Sequence, residues 1–205
     1  MALVEGEYCT SVRQTCVEWI EPPSGDLGRC RKFAPSECVG HRVHKLFCVD
    51  RDEFTKMTET LPQTTISWTQ SKSVCEKSGK RLCDESEWNF ACEGPAMLPY
   101  PTGYERDSTK CNFDQMKLLD AQHRVRDLRK PSASLAACGS PFGARNMVGN
   151  VDEWTHRDVT AGPNRTALKG GWWMAGRDRC RPATVAHSEI YRDLQTGFRC
   201  CADVK

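Results

Sequence analysis

Residues 169–180 read KGGWWMAGRDRC, a run whose residue types suit recognition. Trp172, Trp173, Arg177 and Arg179 fall within eight residues. Tryptophan and arginine dominate binding hot spots because each buries a large area and also donates hydrogen bonds. Asp178 between the arginines can hold one in place or accept from a ligand. Gly170 and Gly171 allow the backbone to approach a neighbour closely. The run predicts an exposed, ligand-contacting surface over Trp172 to Arg179, with one of the two tryptophans turned inward because strand neighbours face opposite ways. Cys180 is the run's sole thiol, available for chemistry only if it is outside a disulfide.

Other reactive types are scattered. His41 and His44 lie three apart in GHRVHK, a spacing that chelates on a helix, but the segment reads as the entry to a strand. Asp152 and Glu153 are adjacent, which sends their carboxylates in different directions and excludes a glycosidase-like pair. Glu105-Arg106-Asp107 and 124–130 read as solvated charge, and Asn164-Arg165-Thr166 as a glycosylation sequon. With 29 basic and 27 acidic residues well mixed in 205, no field exists to steer nucleic acid or an anionic membrane. No stretch is long and apolar enough to span a bilayer. The opening MALVEGEYC lacks a charged n-region and an apolar h-region, so no signal peptide is read in it.

The elements that must position this chemistry are held by thiols. Thirteen cysteines without a CxxC pair point to disulfides rather than metal, and to an oxidising compartment: secreted, periplasmic or cell-surface. The odd number leaves at least one free or joined between chains. Residues 1–42, rich in Cys, Pro and Gly, read as an irregular stapled extension packed on a domain spanning 43–205. VHKLFCVD (43–50) predicts a strand. WTQSKSVCEKSGK (68–80) predicts a helix stopped at Gly79, and DESEWNFACEG (84–94) a helix opened by a capping box between Asp84 and Glu87. From 95 to 170 the chain reads as loop, with one short helix near 115–129.

The ordered set WTQSKSVCEKSGKRLCDESEWNFACEG, PYPTGY, FGARNMVGNVDEW, KGGWW and GFRC resembles the formylglycine-generating enzyme (sulfatase-modifying factor) family over roughly residues 43–202. That family includes the C-terminal domains of ergothioneine-pathway sulfoxide synthases and members without sulfatase-directed activity. The resemblance implies an α+β, C-type-lectin-like fold with little regular structure. It implies disulfides Cys75–Cys200 and Cys92–Cys180, with Cys83–Cys201 as a third possibility. The pairing of Cys9, Cys16, Cys30, Cys38, Cys48, Cys111 and Cys138 stays open.

The resemblance also implies what is changed. The enzyme holds copper between two thiolates five residues apart, a soft pair suited to Cu(I). Here Ala175 stands at the first position, Cys180 at the second, or else at the structural disulfide that Cys92 requires. Trp172 replaces a serine of the pocket and Asp152 a tryptophan. Formylglycine formation and copper binding are therefore not expected. A loop calcium is implied at Asn146, Gly149, Val151 and Glu153, whose oxygens suit a hard cation. Two functions remain in view: a binding or structural module that recognises a peptide, protein or glycan through its loop face, and a metal-dependent oxidoreductase of altered chemistry acting on a peptide or thiol.

Overall fold

The computed structural model describes residues 1–22, 28–158 and 165–204; the sequon asparagine Asn164 lies outside them. The chain is α+β, with two short helices against two four-stranded sheets. The first sheet is antiparallel and runs β1 (Ala2–Cys9), β6 (Arg42–Val49), β12 (Cys200–Asp203), β7 (Arg81–Leu82). The second runs β10 (Ala183–Thr184), β9 (Thr166–Lys169), β8 (Asp152–His156), β11 (Thr196–Gly197). Two-stranded ribbons, β2 (Val12–Arg13) with β5 (Glu37–Cys38) and β3 (Cys16–Glu21) with β4 (Arg29–Phe33), complete it.

Both predicted helices form. In α1 (Trp68–Lys77), Ser67 caps the N-terminus with a full capping box to Gln70, and the chain leaves through Gly79 at φ 69°. In α2 (Glu85–Glu93) the Glu87 carboxylate accepts from the Asp84 amide at 2.9 Å, while Asp158 accepts from the Ser86 amide at 2.8 Å. The helix near 115–129 does not form. The Asp120 carboxylate accepts from the amides of Gln122 and Arg124, which closes a turn, and His123 sits at φ 59°. Such side-chain competition for backbone amides is why aspartate favours turns over helix interiors.

The described part of the first 42 residues is largely strand, where the sequence predicts an irregular segment. β1 pairs with β6 along its whole length, Ala2 opposite Val49 through Cys9 opposite Arg42. Its alternation buries Ala2, Val4 and Tyr8 and exposes Leu3, Glu5 and Glu7.

Six disulfides staple the fold: Cys9–Cys38, Cys16–Cys30, Cys75–Cys200, Cys83–Cys201, Cys92–Cys180 and Cys111–Cys138. Adjacent residues of a strand point to opposite faces, and β12 uses this. Cys201 sits in an apolar cluster with Val4, Phe47, Trp88 and Phe90, and Cys200 in another with Trp68, Trp154 and Phe198. Each core is thereby tied to the same strand by a bond closing a long loop, 125 and 118 residues in separation. Chain-entropy reasoning puts each such closure at about 4–5 kcal/mol.

The long loop region is held by side chains instead of ladders. Asn150, at φ 62°, accepts from the Lys130 amide and the Asn112 side chain through Oδ1, and donates to Glu53 and the Lys130 carbonyl through Nδ2. Beside it Gly149, at φ 73°, lies so close to the next segment that a Cβ would come within 2.4 Å of the Asn112 carbonyl oxygen. Gly79 has a similar φ but open space around it. Gly149→Ala is therefore expected to lower unfolding free energy by about 3 kcal/mol or more and Gly79→Ala by about 1–2 kcal/mol. Urea denaturation with the disulfides intact measures both, and equal effects would show that the close approach to Asn112 is not maintained.

Candidate functional site

The floor of the loop face is a buried ion pair. Arg199, just before β12, is completely buried and donates five hydrogen bonds: two to Glu153 of β8, at 2.6 Å each, and three to the carbonyls of Asp50, Arg51 and Arg145. Glu153 also accepts from the Trp88 indole of α2 at 2.7 Å. No guanidinium N–H is left unmet, which is the condition for a buried pair to hold.

Above this floor, Gly170 and Gly171 carry the chain past Trp88 and Asp178 at φ 86° and 76°, where side chains would collide. Lys169 precedes them. It is fully buried, donates to the Arg181 carbonyl at 2.6 Å, and lies 3.5 Å from Glu85 and over the Trp88 ring. Burial pulls its pKa down to about 7, against the raising effect of Glu85.

The expected surface is divided by the structure. Trp172 is half-buried with its ring 4.8 Å from that of Trp173, and Trp173 is completely buried. Asp178 is also buried and is held by Arg106, which simultaneously holds Asp114. Burial raises the Asp178 pKa to about 6, opposed by Arg106. Trp173 and Asp178 are thus core residues, and Arg106 is no solvated charge: its side chain is 2% exposed. The sequence around Arg106 carried no apolar pattern to reveal this. Asp152 is buried too, accepting from Arg177 and from the Gly171 amide. Arg177 bonds Thr184 at 2.7 Å through Nε, while Arg179 rests over the Phe33 ring at 5.2 Å. What remains accessible is Trp172, Met174 to Arg177 and Arg179. They border two cavities, one of about 190 Å³ between Asp152, Trp172 and His187, and one of about 630 Å³ between Arg29, Arg179 and Ala183.

The thiol chemistry is confined. Cys180 is bonded to Cys92, and Ala175 lies on the cavity rim. The free cysteine among the described residues is Cys48, half-buried on β6. His41 and His44 are exposed; one meets Thr10 and the other Glu7, so they form no chelate with each other.

The expected calcium ligands meet a mixed environment. The Asn146 amide donates to Glu53 and to the Ser132 carbonyl, but its Oδ1 is buried with no partner. Glu153 has three bonds already and one carboxylate lone pair left. Glu53, fully buried, was not anticipated from sequence; burial raises its pKa to about 7, with Arg199 opposing. An orphaned amide oxygen beside two carboxylates and a single guanidinium suits a hard cation, so this donor set fits calcium. Among the described residues no cluster of three His, Cys, Asp or Glu is placed to hold a metal.

Comparison with known proteins completes the picture. The sulfatase-modifying factor enzyme 1-like domain matches residues 5–204, and the chain belongs to that family. It is 31% identical over 163 residues to the serine/threonine-protein kinase Pkn1 of Chlamydia trachomatis, covering 70% of this chain and 24% of that protein. It is 28% identical over 165 residues to the formylglycine-generating enzyme of Mus musculus, 69% and 44% of the two lengths. It is also 28% identical over 155 residues to the inactive C-alpha-formylglycine-generating enzyme 2 of Bos taurus, 69% and 50%. The chain thus spans about a quarter to a half of these relatives. Among solved structures, CarF superposes with TM-score 0.63 at 15% identity, over 95% of this chain and 99% of that one. PvdO from Pseudomonas aeruginosa follows at 0.60 and 15%, over 98% and 94%. The fold is the α+β, C-type-lectin-like fold of the formylglycine-generating enzymes. Among the described residues no helix is long and apolar enough to cross a membrane.

Two outcomes check the buried charges. Arg199→Met leaves Glu153 unpaired and should destabilise by about 3–5 kcal/mol, whereas adding Glu153→Gln should recover part of that loss; no recovery in urea titrations would mean the pair is not the cause. For Lys169, the folded pKa lies below the unfolded one, from 10.5 to about 7. The unfolded chain therefore binds more protons in that window. Stability from this group should rise with pH between about 7 and 10, at up to about 1.4 kcal/mol per pH unit. Lys169→Met should flatten the difference between stabilities measured at pH 7 and pH 9.

Proposed function

We propose that this domain is a binding module, exported to an oxidising compartment, that recognises a peptide, protein or glycan through the face bordered by Trp172, Met174 to Arg177 and Arg179. The carrying observation is the pairing of Cys180 with Cys92 beside Ala175. Ala175 offers a methyl group where the enzymes of this family place the first copper thiolate, and Cys180, taking the structural-disulfide role, supplies no thiolate for the second, so the soft pair that holds Cu(I) is missing. Asp152, committed to Arg177 and Gly171, replaces the pocket tryptophan as a structural residue. Six disulfides support an oxidising setting. The relatives' names include both a generating enzyme and an inactive counterpart, so family membership leaves the choice to the site.

Calcium belongs to the same reading. Asn146 Oδ1, the Gly149 and Val151 carbonyls and Glu153 would hold it. Its role would be to fix the loop and compensate the Glu53–Glu153 charge, with no part in a reaction.

Incubation with copper and a peptide containing C-x-P-x-R should yield no aldehyde, nor oxygen uptake with thiol peptides. Turnover near an ordinary rate, on the order of 1 per second, would instead establish an oxidoreductase. Chelator should lower the melting temperature and millimolar calcium should restore it; an unchanged melting curve would remove calcium from the account.

A further inference from the structure

The larger cavity on this face, about 630 Å³, is bounded by Glu21 and Arg29 on one wall and by Ala175 to Arg177, Arg179 and Pro182 to Thr184 on the other. The hydrogen-bonding groups around it are unevenly committed. Glu21, its acidic residue, accepts from Arg29 with both oxygens. Arg29 gives its remaining contact to Asp114. Among the donors, the Arg179 guanidinium has no hydrogen-bond acceptor among the described residues; it lies over the Phe33 ring, within the field of Asp178 and Arg106, which hold each other. Arg177 spends Nε and Nη2 on Thr184 and Asp152, and its Nη1 is buried, so it holds Thr184 in place and offers nothing to the cleft. Thr184 accepts from Arg177 and keeps its own hydroxyl proton. The nearby carboxylates Asp114, Asp152 and Asp178 are already taken by Arg29, Arg106 and Arg177. Among the described residues, the side-chain carboxylates at the cleft are each held by an arginine, while Arg179 and the Thr184 hydroxyl keep donors open.

The rest of the lining sets the shape of the occupant. Ala175, Pro182 and Ala183 are small and apolar. Ala183 and Thr184 form β10, the edge strand of the second sheet, paired among the described residues with β9 alone. An edge strand offers main-chain hydrogen bonds to an added extended segment, and a guanidinium matches a carboxylate in a two-point contact.

We propose that this cleft binds an extended peptide segment carrying an acidic side chain, whose carboxylate is received by Arg179 with the Thr184 hydroxyl as a further donor, the backbone running along β10. The inference rests on the binding-module reading and names its ligand.

The test is selection from a random nonapeptide library on the intact, oxidised chain, with binding of the selected peptides measured by fluorescence polarisation. The selected peptides should share one Asp or Glu position, and replacing it by the amide should weaken binding by about tenfold or more. Arg179→Gln should abolish that difference while binding the amide peptide as before. Arg179→Lys, which keeps the charge on Phe33 but loses the fork, should retain only part of it; near-ultraviolet circular dichroism shows that both variants fold. Sulfate and acetate are run alone as probes. Peptides without an acidic position, an unchanged Glu-to-Gln ratio in Arg179→Gln, no binders at all, or anions binding where no peptide does would each overturn the proposal. Acid-independent binding at this face would leave the module reading standing, whereas aldehyde formation or oxygen uptake would remove that reading instead.

Discussion

The buried pair of Arg199 and Glu153 is the constraint around which the rest is arranged. Moving two charges out of water costs several kcal/mol per ion, and only full hydrogen bonding offsets it. Here the compensation is drawn from across the chain: carbonyls of Asp50, Arg51 and Arg145, and the indole of Trp88. GFRC, GNVDEW and the second helix are far apart in sequence, yet each supplies one member of this cluster. Their positions cannot drift independently, because any displacement strands a charge in the interior. That coupling explains how a chain with two short helices and mostly two- to eight-residue strands keeps one arrangement.

Disulfides and polar clips do the remaining positioning. Cys200 and Cys201 secure opposite faces of one strand, and Asn150 joins three segments through one side chain. Tryptophans work in the same way: Trp68 donates to Thr155 and Trp154 to Ile66, linking the second sheet to the segment that enters α1. Directional bonds of this kind substitute for ladder hydrogen bonds, which a loop-rich chain lacks. They leave the loop face fixed to the sheets and helices beneath it.

What was legible in the sequence follows local rules. The Asp84–Glu87 spacing and Gly79 marked α2 and the end of α1 because caps and left-handed turns are decided within a few residues. The motif resemblance located Cys75–Cys200 and Cys92–Cys180, since each partner sits inside a recognisable string. Long-range charge pairing left no such trace. Arg106 lay in a polar stretch and reads as solvated, yet its partners Asp114 and Asp178 are 8 and 72 residues away. Glu53, Arg199 and Lys169 were invisible for the same reason. The strands of the first 42 residues were masked by cysteine and glycine, whose usual association with irregular chain is outweighed here by pairing of β1 with β6, β2 with β5 and β3 with β4. That one of the two tryptophans turns inward was legible from strand alternation, but not that it is Trp173, nor that Asp178 is buried with Arg106.

The face itself bears a different kind of signature. The indoles of Trp68, Trp88 and Trp154 donate to identified partners, but Trp173 Nε1 has none, and Arg177 Nη1 and Asp178 Oδ1 are likewise buried and unmet. An unmatched buried polar group costs about 1–3 kcal/mol, and native folds contain few of them. Three of them within residues 173–178 stand against the full satisfaction of Arg199 close by. Departures from local consistency concentrate at functional sites. In this domain the guanidinium at the base is met in full, while unmet atoms lie at Asn146 beside that base and at Trp173, Arg177 and Asp178 beneath the face. Because these atoms are buried, they bear on how the loop segments pack, and exposure alone decides which side chains of the face stand open: Trp172, Met174 and Arg179.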